Sequence, residues 1–316
     1  MVSLLARTAD RLYWGARYVE RAEDTARIVR AYNDLVVDYP SEDLLQWEPL
    51  AALTGSDMSI EIPPGDPSGE ATVLRHLISA RSNQSSIASS VAAARANLRT
   101  TREVMPREAW QAINQLSQYV DATASGAVER QLRDRFLVRV IQISRRLDGI
   151  LESTMSRGDA YSMIRLGRLI ERADMTTRVL GVAAAGILQV EATDRDDLVN
   201  DQVRWMSVLR SVSALQMYQR AVRGPIDGME VVKFLMYHSA FPRSVQGCFD
   251  EIRAVLVTLP HSSVVTVELE DAEKVLHAGT PDASEPERLD RSMEQLQTAI
   301  ATLGSVLRQN YVGDVI

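Results

Sequence analysis

Residues Arg17–Val29 read RYVERAEDTARIV, and residues Arg168–Leu180 read RLIERADMTTRVL. Six of the thirteen aligned positions are identical, namely Arg17/Arg168, Glu20/Glu171, Arg21/Arg172, Ala22/Ala173, Thr25/Thr176 and Arg27/Arg178, while Glu23 is matched by Asp174. Charge is what repeats, whereas the apolar positions drift among Val, Ile and Leu. Both stretches have helical spacing. At about 100° per residue, Arg17, Glu20, Glu23, Asp24 and Arg27 share one sector with Tyr13, and Arg168, Glu171, Asp174 and Arg178 share the matching sector of the second copy. Arg21 and Arg172 stand at the sector's edge. Val19, Ala22 and Val29, like Ile170, Ala173 and Leu180, point toward a core.

Outward from these copies the chain continues as helix. Leu4–Tyr39 forms one long helix that Pro40 stops, with a short helix from Ser41 to Trp47 beyond it. Thr54–Glu70, rich in Pro and Gly, reads as a loop. Helices are expected over Val73–Ala80 and Ser85–Thr101, from Pro106 to the break at Gly126, and over Ala127–Met155. The second motif helix spans Asp159 to about Val190. Further helices cover Asp197–Arg223, Met229–Ser239, Pro242–Leu259 and Glu285–Asn310. His261–Val267 is the one β-like run, short enough for an extended loop. The fold class is all-α.

The likeness extends beyond the motif. At an offset of 158, Trp47 falls on Trp205, Val73/Arg75/Leu77 on Val231/Lys233/Leu235, Ser86-Ile87 on Ser244-Val245, and Arg95-Ala96 on Arg253-Ala254. Glu129, Arg130 and Arg133 fall on Glu287, Arg288 and Arg291. Several matches in one order at one offset indicate a helical bundle of two related halves, residues 1–155 and 156–316. The long first helices are expected to pair, which sets the two motifs face to face in one compact unit.

The 316 residues carry a formal charge of −7 and a single cysteine, Cys248. With no basic run, a nucleic-acid partner is not expected. One cysteine makes no internal disulfide and no cysteine metal cluster, which fits a cytoplasmic setting. The longest apolar run, Val179–Val190, is about half of the ~20 residues a membrane span needs, so no membrane segment is expected.

Three roles are open for the charged sector. It is a solvated face laced by pairs such as Glu23–Arg27 and Asp174–Arg178, each worth about 0.3–0.5 kcal/mol. Alternatively it is a buried ion network that fixes register, or a site for an anion or carboxylate-bearing ligand held by arginine forks. The ligand-binding candidates are Tyr13, Arg17, Glu20, Arg21, Arg27, Arg168, Glu171, Arg172, Arg178 and Arg243, the last at a helix start that could hold an anion. Were the chain an enzyme, Glu20, Glu171, Glu23 and Asp174 would be its acid/base candidates. No nucleophile motif and no phosphate loop occur, so no catalytic role is assigned. Cys248 reads as packed and inert. No Glu-x-x-His pair occurs, and Glu273/His277 at one helical turn is more often a surface contact, so neither metal nor cofactor is expected.

The segments LYWGARYVERAEDTARIV, REVMPREAWQAIN, IRLGRLIERADMTTRVL and FPRSVQGCFDEI, in this order across nearly the whole chain, resemble the alpha-E proteins, a bacterial all-helical family named for its E-R motif. The motif maps onto Glu20-Arg21 and Glu171-Arg172. The resemblance implies a setting rather than an activity. Such proteins accompany a circularly permuted ATP-grasp ligase, often with a transglutaminase-like protease and sometimes a proteasome-like peptidase. The implied function is that of an accessory or co-catalytic partner in peptide or amide synthesis or modification. It would bind the ligase or a peptide-like, carboxylate-bearing ligand through the paired motifs.

Overall fold

A computed structural model describes residues 4–38, 47–54, 61–63, 66, 69–188, 197–279 and 283–313, with the side chains of 185–188 and 197–200 outside that description. The chain is all-α, with no strand among the described residues. Its helices are α1 (Ala6–Asp38), α2 (Glu70–Ile78), α3 (Ile87–Leu98), α4 (Arg107–Thr123), α5 (Arg130–Thr154), α6 (Asp159–Leu188), α7 (Asp197–Ser211), α8 (Leu215–Ala221), α9 (Gly228–Tyr237), α10 (Val245–Leu256), α11 (Ser263–His277) and α12 (Pro286–Val312). Short 3-10 helices cover Glu48–Thr54 and Gly126–Val128. The helix expected over Ser41–Trp47 and most of the Thr54–Glu70 loop lie outside the described residues. No helix among the described residues is long and apolar enough to cross a membrane.

Local chemistry sets the helix ends. Ser86 and Ser244 cap α3 and α10, their hydroxyls accepting from Ser89 N at 3.1 Å and Gly247 N at 2.9 Å, which satisfies one of the amides a helix start leaves unpaired. Asp227 caps α9 in the same way. Pro106 precedes α4 as its cap residue rather than lying inside the first turn.

Two sequence expectations are corrected. Asp197–Arg223 is two helices, because Ser213 adopts a left-handed backbone (φ 55°). Its amide donates to Arg210 O and that of Ala214 to Leu209 O, the two bonds of a Schellman stop with serine where glycine is usual. The β-like run His261–Val267 is instead a turn at His261, where φ is 55°, followed by the first residues of α11. Val265, Leu269, Ala272 and Leu276 are buried at helical steps, while Val264 and Val267 face outward. Packing against α10 and α12 thus overrides the extended preference of β-branched residues.

Helices α1 and α6 form the centre. They pack along each other; α3, α5, α7 and α12 also lie against α1, and α10 and α12 against α6. Both are buried nearly all round in their middle thirds. Their approach is close enough that a methyl group on Gly167 would lie 2.3 Å from the Tyr13 carbonyl oxygen. A backbone atom cannot turn aside as a side chain can, so α1 itself would have to move. Gly167→Ala is therefore expected to cost about 1–3 kcal/mol or more, as overpacking does. Urea denaturation checks this, with a lower midpoint at unchanged slope as the expected result.

Candidate functional site

The two motifs meet at the crossing of α1 and α6. Arg172 spans Glu20 with two hydrogen bonds, Nε to Oε1 at 2.9 Å and Nη2 to Oε2 at 3.1 Å. Reciprocally, Arg21 spans Glu171 through Nε and Nη2, the latter at 3.0 Å from Oε2. Each glutamate takes a second guanidinium as well. Arg17 Nε donates to Glu171 Oε2 at 2.7 Å, and Arg243 Nη2 lies 2.8 Å from Glu20 Oε1. The adjacency of Glu and Arg in the motif now has a geometric reason. Neighbours on a helix are about 100° apart, so the glutamate can enter the seam while the arginine stands beside it and reaches across to the other helix. Glu20 and Glu171 are at most 1% exposed, whereas the side chains of Arg21 and Arg172 keep 18% and 12%.

Around the exchange the copies differ. On the Glu171 side, Arg17 Nη1 donates to the Tyr13 hydroxyl at 3.4 Å and its guanidinium lies 4.9 Å from the Trp14 ring centre. Arg21 lies over Tyr18, and its Nη1 reaches Ser85 Oγ at 3.5 Å. On the Glu20 side, Arg27 pairs with Glu23 and Asp24 within its own helix. Arg243 holds Asp24 at 2.8 Å, and Arg145 of α5 reaches Glu23 at 3.2 Å. Arg168 and Arg178 do not join the exchange. Arg168 pairs with Asp148 of α5 at 3.1 Å, and Arg178 with Asp174 one turn back at 2.9 Å.

The expectation of a solvated face fails here, since Glu23, Asp24, Arg27 and Asp174 are buried too. Sequence patterning missed Asp148 and Arg145. Both lie on α5, whose apolar stripe drew the reading of that helix; the polar run Ser144–Arg146 was a signal for Arg145, while Asp148 stands alone beside the buried Leu147.

Burial acts to raise the Glu171 carboxyl, but Arg21 and Arg17 outweigh it and hold the group down at about 2. Burial likewise works against Glu20, and Arg172 and Arg243 hold it well below the usual carboxylate range. At neutral pH both are ionised, so neither has a proton to give and each is a weak base. Carboxylate oxygens of Glu20, Glu23 and Asp148 lie within 4.8 Å of one another, yet they do not fit a metal. Glu20 is taken by Arg172 and Arg243, Glu23 by Arg27 and Arg145, and Asp148 by Arg168, so an added cation would meet five guanidinium groups. Glu273 and His277 turn to different partners, Arg253 and Gln246. The His238 ring lies against Phe234, and the His76 carbonyl accepts from Asn83. Burial pushes the Cys248 thiol up to about 12.

These features define a class of protein: an all-helical domain locked at its centre by two exchanged Glu-Arg pairs. The family model described as "Alpha-E: A predicted alpha-helical domain with a conserved ER motif" matches residues 4–312. The chain belongs to the Alpha-E family. No curated protein and no solved structure matches it.

Two outcomes follow from the geometry. Glu171→Gln leaves Arg17 and Arg21 facing a neutral partner, and a loss of about 3–5 kcal/mol is expected, the scale for breaking a buried pair from one side. In the native protein the depressed Glu20 and Glu171 groups contribute their full stability above the ordinary carboxyl value of 4.5. That contribution falls away as pH drops from 4.5 toward about 2, so denaturation midpoints measured across this window should decline in the native protein and decline less in Glu171→Gln. Cys248, buried and protonated, should resist a thiol reagent in the folded chain and react once the chain is unfolded.

Proposed function

We propose that the chain is an accessory, non-catalytic partner of a circularly permuted ATP-grasp ligase in peptide or amide synthesis or modification. In this reading the Glu-Arg exchange clamps α1 to α6 and so holds the partner surface in shape. The observation that carries the clamp role is the reciprocal, buried pairing of Glu20 with Arg172 and Glu171 with Arg21. Carboxylates fully committed to guanidinium groups, and ionised at every physiological pH, are poor acid/base catalysts. The same commitment argues against the enzyme alternative, in which these carboxylates would act on a peptide or amide. The partnership itself rests on the family to which the chain belongs, with a transglutaminase-like protease as a second associate and a bacterial cytoplasm as the setting. The two halves, 1–155 and 156–316, are read as copies of one ancestral unit. The like-built turns before α3 and α10, each ending in a serine cap and each touching a motif arginine, support that descent.

Co-purification and complementation test this reading with the Glu20→Gln, Glu171→Gln variant, assayed at two temperatures chosen from its own melting curve. Below the melt, ligase association and product formation are expected to persist; above it, both are expected to vanish together. A folded variant that binds the ligase but forms no product would favour the acid/base alternative. A folded variant that no longer binds would make the motif itself the docking surface, and a native chain that never co-purifies would overturn the partnership.

A further inference from the structure

Beyond the motif pairs, a cavity of about 420 Å³ opens between the C-terminal half of α1, the middle of α5 and the turn joining α7 to α8. Arg27 and Arg30 line it from α1, Arg145 from α5 and Arg210 from α7, against a single lining carboxylate, Asp34. Ser213 and Gln216 add neutral polar groups, and Leu215 and Met217 an apolar wall. Carboxylates behind the wall balance much of the arginine charge, Glu23 and Asp24 against Arg27, Asp134 against Arg30 and Glu23 against Arg145; what the hollow offers is several guanidinium groups converging on one concave space, the arrangement by which arginine forks hold an oxyanion.

Arg27, Arg30 and Arg145 retain donor capacity for such an anion. A guanidinium offers five N–H donors in a fixed fork. Arg30 gives Nε to Asp134 at 2.7 Å, and both side chains of that pair are about half exposed. Arg145, also half exposed, gives Nε to Glu23 at 3.2 Å and Nη2 to Ser213 Oγ at 3.0 Å. Arg27 is 4% exposed, and its Nε has no hydrogen-bond partner among the described residues. Burial first, and then the charge of Arg243, push the Arg27 guanidinium down to about 9. The volume and the mixed polar and apolar wall suit a small organic molecule rather than a lone ion.

We propose that this cavity binds a small oxyanion-bearing ligand, a phosphoryl or carboxylate group held by Arg30 and Arg145 beside Arg210, with its less polar part against Leu215 and Met217. The inference is independent of the ligase partnership. Because Arg145 also touches Glu23, the ligand sits one residue from the buried network at Glu20, and its arrival competes with Ser213 and Glu23 for the same guanidinium.

Isothermal titration at low ionic strength tests it, with pyrophosphate as the phosphoryl probe, citrate as the carboxylate probe, and sodium chloride at matched ionic strength as control. Saturable binding of one probe per chain is expected, with a raised melting temperature, and the tighter probe assigns the chemical class. Arg145→Gln should weaken binding about tenfold or more, the effect of losing one charge-assisted hydrogen bond. Arg30→Gln, whose partner Asp134 is exposed, should do the same without disturbing a buried pair. Arg95→Gln, on α3 and outside the cavity, should bind as the native chain does. The proposal is overturned if neither probe binds saturably, or if binding survives both cavity substitutions unchanged.

Discussion

Two carboxylates withdrawn from water at a helix crossing are the constraint on which the rest of the structure depends. Glu20 and Glu171 would each cost several kcal/mol if left ionised and unpaired in such a place. Each is instead spanned by the arginine that follows the other in sequence. The exchange has consequences for register that an apolar seam would lack. Sliding α6 along α1 by one turn, about 5.4 Å, would move Arg172 away from Glu20 and Arg21 away from Glu171 together, breaking both two-pronged pairs at once. Leucine and valine tolerate such slips, since any apolar neighbour of about the right size serves. Charge exchanged both ways therefore specifies one alignment of the central helices, and the close approach of Gly167 to the Tyr13 carbonyl holds only in that alignment.

Much of this was legible in the residues, for physical reasons that differ from element to element. The long helices announced themselves through apolar steps of three and four and through Pro, Gly and Ser at their ends; thus α1, α3, α6 and α12 lie within a few residues of expectation. The failures came where local preference and tertiary packing disagree. His261–Val267 has the β-branched residues of a strand, and only the burial of Val265 together with Leu269, Ala272 and Leu276 makes it a helix. The stop at Ser213 was hidden because serine occupies a left-handed position normally signalled by glycine.

For the site, repetition of charge over apolar identity picked out Glu20, Arg21, Glu171 and Arg172. It could not say that the sector was buried, because helical phase gives direction around one axis and not what lies opposite. Nor could it separate Arg17, which joins the exchange, from Arg168 at the equivalent position, which turns to Asp148. That difference depends on α5, a neighbour that the motif itself does not encode.

The unequal surroundings of two nearly equal motifs bear on where function can reside. On the Glu171 side the network ends in Tyr13, Trp14 and Tyr18, which cap the arginines with aromatic faces. The Glu20 side is denser in charge and runs on: Arg243 reaches in from the turn before α10, where the matching turn before α3 offers only the hydroxyl of Ser85. Arg27 and Arg145 then carry the chain of contacts outward to an open, arginine-lined hollow. A proton-transfer site needs a group whose charge can change near neutral pH, and the motif glutamates are held too low for that. A binding site needs charge that is fixed, pre-positioned and only partly satisfied, which is the condition of the arginines at the outer end of the Glu20 network. In the proposed reading the motif supplies rigidity at the centre, and recognition belongs to the margin, where the same ionic network meets solvent.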